Sequence, residues 1–298
     1  MMRIWFPSLS AAAAQEGGEF DISEMILHHL ADSNVWEAPW GDVHLPQFAP
    51  VHLGPITLDF SITKHVLFMM ISAVLVALLL ILAARNARRE HAAGAHRGPR
   101  GAANVVEAFI LYLRDEVALK NIGHGGEKYV PYVVTVFFFI LFCNMLGLLP
   151  WGASPTGNVS VTAALAIMTF IIVEVAGMKA LGPAGYAKTI FFIPHGVPTF
   201  MKPIMLAIMT PVEFLSKLTK PFALTIRLYA NMTAGHAVVL ALTGLLVMAG
   251  AASALWIAPA PLIMAVAIMI LEIFVALLQA YIFAMLTAVF IGLIRHAH

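Results

Sequence analysis

The chain has 298 residues, of which 61% are hydrophobic and only 11% charged, and its mean hydropathy is +0.89. A soluble domain carries roughly a quarter charged residues, so the composition describes an integral membrane protein. A net charge of +1 argues against nucleic acid or a strongly acidic partner. The lone cysteine, Cys143, excludes an internal disulfide and any cysteine-based zinc pattern. It sits in an apolar run and reads as a small buried hydrophobe.

The first fourteen residues, within MMRIWFPSLSAAAAQ, carry one arginine, a short apolar stretch and small residues resembling a cleavage site. They read as a weak secretory signal, with an uncleaved tail as the alternative. Residues 16–62 are polar to mixed, with Pro39, Pro46, Pro50 and Pro55 and the aromatics Trp36 and Trp40. ISEMILHHLADSN predicts a short helix, and the rest reads as extended. His28 and His29 would point about 100° apart on a helix, which favours surface residues over a metal pair. Residues 1–62 are therefore expected to form an outer segment and 63–298 a membrane domain.

Apolar runs long enough to cross ~30 Å of hydrocarbon lie at 64–84, 129–150, 159–178, 204–250 and 262–294. Residues 85–128 begin as a basic, Gly-rich loop and pass into an amphipathic helix near 104–118, of the kind that lies on a membrane surface. Residues 179–203, with LGPAGYAKTIFFIPHGVPTF, predict a re-entrant or tucked interfacial loop. Basic residues crowd these two loops: Arg85, Arg88, Arg89, Arg97, Arg100, Arg114, Lys120 and Lys128 in one, Lys179, Lys188 and Lys202 in the other. The loops near 151–158 and 251–261 have none. The positive-inside rule then places the N-terminus outside and the C-terminus inside, across five crossings. At 1.5 Å per residue, 204–250 would extend ~70 Å and 262–294 ~50 Å. Either these blocks break, at Pro211 and Pro221, or they lean beyond the usual ~20°.

Arg227 is the anomaly. Its guanidinium cannot be deprotonated, and holding it at bilayer depth costs about 3 kcal/mol on insertion scales. Glu213, Lys220, Arg227 and Asn231 fall within ~40° on one helical face, and Glu272 and Gln279 share a face on the last block. If the blocks are antiparallel with Gln279 level with Arg227, His236 and Glu272 differ by only ~3 Å in height. An imidazole and a carboxylate would then meet on the outer side of the arginine, with Glu213 on the inner side. His236 would nevertheless point away from the stripe unless Gly235 or local bending helps. Simpler roles exist beside these: Gln279, Asn231, Asn144 and Ser160 as helix-to-helix glue, Glu213 paired with Lys217, Glu174 at the interface beside Lys179, and Lys217 and Lys220 snorkelling inward.

FILFCNMLGLLP (139–150), LTKPFALTIRLYANMTAGH (218–236) and LQAYIF (278–283) closely resemble the a subunit of the membrane-embedded Fo sector of F-type ATP synthases, over roughly 60–294. The resemblance implies an all-α integral membrane protein. It has about five transmembrane helices, the last two long and strongly tilted, plus an amphipathic surface helix. It implies a non-catalytic, proton-translocating stator of a rotary motor in a bacterial inner membrane, without cofactor or metal. Its partners would be the c-subunit ring, the b-subunit peripheral stalk, the rest of the ATP synthase complex and membrane lipid. Carried over, Arg227 is the essential arginine between two half-channels. Asn231, His236, Glu272 and Gln279 take the outer positions, and Glu213 with Ser216 the inner ones. Many bacterial members have Glu and His exchanged at 236 and 272, so this order resembles the mitochondrial one. GNVSVT has Asn158 where many relatives have Asp. Two other readings compete: an independent ion-coupled transporter with Arg227 as its anion site, and an intramembrane enzyme using His236 and Glu272, for which no HExxH-type ligand spacing speaks.

Overall fold

The computed structural model describes residues 23, 26–27, 30–53, 56–92, 102–149, 151–191, 198–248 and 259–296. The signal-like residues 1–14, the His28–His29 pair, the Gly-rich part of the first basic loop and residues 251–258 lie outside them. Two antiparallel hairpins come first: β1 (Val35–Ala38) with β2 (Gly41–His44), and β3 (Val51–Leu53) with β4 (Ile56–Leu58). The helices are α1 (Lys64–Ala92), α2 (Ala102–Tyr112, continued by a π-helical stretch Leu113–Leu119), α3 (Val130–Gly147), α4 (Val159–Ile190), α5 (Lys202–Met248) and α6 (Pro259–Arg295). Among the described residues, five segments are long and apolar enough to span a membrane: Lys64–Arg88, Glu127–Gly147, Val159–Ile190, Lys202–Leu245 and Pro259–Arg295. The chain is an all-helical, multi-pass membrane protein whose small sheets lie ahead of the first span.

The chain divides into two compact units. The first comprises Met1–Ala77, Phe139–Asn158 and Leu228–Gln279. The extended reading of its N-terminal part resolves into the hairpins. The β1–β2 turn places Pro39 and Trp40 between the paired Ala38 and Gly41, and proline suits the first central position of such a turn. Trp36 packs edge-on against Trp40 and Phe68, with centroids 5.6 and 5.8 Å away, and its indole N–H donates to Trp151 O at 2.8 Å. Asn144 is fully buried and satisfied: its amide N–H donates to Ala276 O at 3.4 Å, and its Oδ1 accepts from Thr156 Oγ1 at 2.6 Å. That is the glue role expected of an intramembrane amide.

The second unit comprises Leu78–Phe138, Val159–Arg227 and Ala280–His298. The expected amphipathic helix is here. It buries Leu113, Val117, Ala118 and Ile122, while Lys120 and Glu116 form an exposed pair at 2.9 Å that raises the lysine's pKa above its ordinary value. Gly292 of α6 lies so close to Asn121 O that a Cβ would stand 2.0 Å from it, so only glycine permits this approach.

One expectation needs correction, and one pair of alternatives narrows. Residues 179–203 are not a loop throughout, because α4 continues to Ile190 across a kink at Gly182, where φ is 70° and ψ 167°. The glycine absorbs a backbone conformation closed to side-chain-bearing residues, and Pro183 restarts the helix at a position where its missing N–H costs nothing. Nor does α5 break at its prolines: it runs for 47 residues through Pro211 and Pro221. Of the two ways to fit ~70 Å of helix into a bilayer, breaking is excluded. We expect Gly182→Val to lower the melting temperature of the detergent-solubilised protein, at a cost of about 1–3 kcal/mol. An unchanged melting curve would mean that the kink does not need glycine.

Candidate functional site

In the first unit, His236 on α5 and Glu272 on α6 line one cavity of about 60 Å³, measured as space open to the centres of water molecules. One hydrogen bond sets the helix register: Asn231 Nδ2 donates to Gln279 Oε1 at 3.2 Å. Asn231, one turn beyond Arg227 on α5, is thus the residue whose side chain meets Gln279. Glu272, seven residues earlier on the antiparallel helix, still falls within ~3 Å of the height of His236.

Gly235 resolves the orientation difficulty. A Cβ there would stand 2.0 Å from Glu272 Oε1, so the carboxylate lies directly on the backbone of α5, next to His236. His236 Nε2 is buried and has no hydrogen-bond partner among the described residues. A buried, free ring nitrogen can accept or release a proton at the cavity wall. Gln279 and Glu272 are buried, while Asn231 is exposed.

In the second unit, a larger cavity of about 180 Å³ is lined by Glu174, Glu213, Lys217, Lys220, Thr189 and Phe290, among others. Glu213 is thus brought to a cavity, as expected. Ser216 is not: it is exposed and does not line it. Lys220 lies over the Phe290 ring, 5.2 Å from its centroid.

The arrangement of Lys217 differs from both expectations for it. It neither reaches out as a snorkelling side chain toward the inner interface nor pairs with Glu213. Only 9% exposed, its ammonium lies 3.3 Å from Glu174 Oε2, 3.4 Å from both Tyr186 OH and Thr189 Oγ1, and 4.4 Å from the Tyr186 ring centroid. Tyr186 OH also donates to Glu174 Oε2. Glu174 is therefore a half-buried partner in an ion pair with Lys217 and forms none with Lys179 among the described residues. Residues twelve apart on a straight helix stand ~18 Å from each other along its axis, so the Gly182 kink is what lets Tyr186 reach back to Glu174. The sequence signal for this cluster was present, in two opposite charges each sitting inside an apolar block.

Arg227 closes the part of α5 that belongs to this unit. It is exposed, and among the described residues no hydrogen bond or ion pair holds its guanidinium. Of the four cations on α5, Lys217 is neutralised within the chain, while Lys202, Lys220 and Arg227 have no ion pair among the described residues.

Removing either half of the Glu174–Lys217 pair strands a buried charge, so Glu174→Leu or Lys217→Met should each destabilise by about 3–5 kcal/mol. The double variant should recover most of that loss. Chemical unfolding of the three variants in detergent checks the coupling, and purely additive losses would contradict it.

The family model for the ATP synthase A chain matches residues 66–292. Among curated proteins, the chain is 42% identical over 285 residues to ATP synthase subunit a 2 of Chlorobaculum tepidum, covering 95% of this chain and 76% of the relative. It is 43% identical over 285 residues to ATP synthase subunit a of Pelodictyon phaeoclathratiforme, covering 95% and 79%. To ATP synthase subunit a of Myxococcus xanthus it is 48% identical over 238 residues, covering 79% and 73%. The match runs from the first span almost to the end of the last, and with it the chain belongs to the ATP synthase A chain family, the membrane-embedded a subunits of the Fo sector.

Proposed function

We propose that this chain forms two proton half-channels that meet at a rotating ring of c subunits, with Arg227 standing between them. Family membership makes it a non-catalytic, proton-conducting membrane subunit of an ATP synthase. The finer reading is supported chiefly by one observation: Arg227 is exposed on α5 with no ion pair or hydrogen bond among the described residues, while each unit holds a cavity lined by titratable groups. An unneutralised cation on a membrane helix calls for an anion from a partner, and a passing ring carboxylate is that anion.

The outer path comprises Asn231, His236, Glu272 and Gln279, and the inner path Glu213 with Ser216 near its mouth. The N-terminus lies outside and the C-terminus in the cytoplasm of a bacterial inner membrane, and the b-subunit stalk holds the chain against rotation. A ring carboxylate nearing Arg227 is favoured in its ionised form by the opposite charge, so it gives up its proton to the inner path during synthesis. Beyond the arginine it is reprotonated from the outer path. The fixed cation repels protons and prevents a short circuit. Each proton moved through the potential delivers ~2.3 kcal/mol per 100 mV, so several steps combine for each ATP.

Arg227→Ala is expected to abolish ATP-driven proton pumping in membrane vesicles while ATP hydrolysis by the soluble sector persists. Normal coupled pumping would defeat the proposal. A variant exchanging His236 and Glu272 should pump better than either single loss, since the cavity keeps one acid and one imidazole. If the exchange is the worst of the three, the two side chains do not act together.

A further inference from the structure

The cavity that holds His236 and Glu272 has a third titratable wall residue, His65, the second residue of α1. The imidazole is 5% exposed. Its Nδ1 stands 3.1 Å from Asp32 Oδ1, and the Asp32 side chain is 29% exposed. The carboxylate is fixed in place, because the same oxygen accepts the backbone N–H groups of Ser33 at 3.1 Å and His65 at 3.3 Å. Nδ1 itself makes no aligned hydrogen bond, so the ring is held beside the carboxylate without being locked to it. Asp32 thus touches water on one side and a buried imidazole on the other, and that imidazole borders the space containing Glu272. Among the described residues, the other charged groups around this end are Lys64, adjacent in sequence, and Glu37, whose field acts on Lys64; His236 and Glu272 line the same cavity as His65.

A cavity of about 60 Å³ holds only a few water molecules, at roughly 10–15 Å³ each on this measure. A titratable side chain on the wall of so small a space can hand protons to the few waters it holds. We propose that Asp32 and His65 form the entry relay of the outer path, Asp32 as the positioning carboxylate and His65 as the proton carrier. This rests on the reading of His236 and Glu272 as outer-path residues. A hydronium at the surface gives one proton to the imidazole beside Asp32. The imidazolium releases one proton from its other nitrogen to water in the cavity, from which Glu272 is protonated. Histidine can do this because it accepts at one nitrogen and donates at the other. One proton enters and one leaves, and the ring, left protonated at the nitrogen beside Asp32, turns over before the next transfer so that a free nitrogen again faces the carboxylate.

The test uses the intact ATP synthase in sealed vesicles, with ATP synthesis driven by an imposed gradient and followed against the pH of the outer compartment. Rates are normalised to assembled complex. His65→Ala should slow synthesis about tenfold or more, the scale of a lost positioned acid–base group, and imidazole added to the outer compartment should restore part of the rate. Asp32→Asn should leave assembly intact and move the outer-pH profile toward acid, because without the anion the imidazole is harder to charge. Wild-type rates and profile in both variants would overturn the relay. So would a His65→Ala loss that imidazole does not relieve. If His65→Ala fails to assemble, Asp32→Asn decides alone, and an unshifted profile rejects the proposal. Arg227→Ala and Glu272→Gln run alongside as controls. If these also synthesise normally, the outer-path reading itself has failed; if they block synthesis while the relay variants do not, only the relay has.

Discussion

An ionised side chain on a membrane helix needs a counter-charge or water, and this requirement organises the whole of α5. Lys217 and Arg227 lie ten residues apart on it, and both are cationic. Lys217 is answered from within the chain by Glu174, Tyr186 and Thr189. Arg227 is exposed without such a partner among the described residues. The first arrangement makes an inert, fixed structure, since a buried pair is costly to open from either side. The second leaves an electrostatic demand that only another molecule can meet. One helix thus holds a cation answered within the chain and another that, among the described residues, is not.

The neutral polar residues do a different task. Asn144 ties its own helix to α6 through Ala276 O and to the following loop through Thr156, and Asn231 meets Gln279. Between apolar surfaces that slide freely, each such bond singles out one register. Register matters because the His236–Glu272 cavity depends on it: one turn of slip would carry Glu272 off Gly235 and onto a residue bearing a side chain.

Much of this was legible in the sequence, for identifiable reasons. The five spans follow from apolar length, and Arg227 declares itself as a guanidinium in an apolar block. His236 and Glu272 could be brought to similar heights by helical rise alone. Three features were not legible. Lys217 with Glu174 escaped because the partners are distant in sequence and joined only through the Gly182 kink, whose positive φ no local pattern announces. The hairpins ahead of α1 read only as extended, since their strands are three or four residues long and show little alternation. The contribution of His65 lay hidden for a related reason: nothing in sequence joins Asp32, at the end of a polar segment, to a histidine at the head of the first span.

The two prolines inside α5 have a mechanical consequence. Each removes one amide donor from the backbone ladder, at Pro211 and Pro221, yet the helix stays whole. Bending is easiest where a ladder rung is missing, so the part of α5 before Arg227 has two points that yield more readily, ~15 Å apart, while the stretch from Leu228 to Met248 contains no proline. A load applied sideways at Arg227 is then taken up more readily on one side than on the other. A stationary part that yields slightly in one direction smooths the jerks of whatever is driven past it in discrete steps.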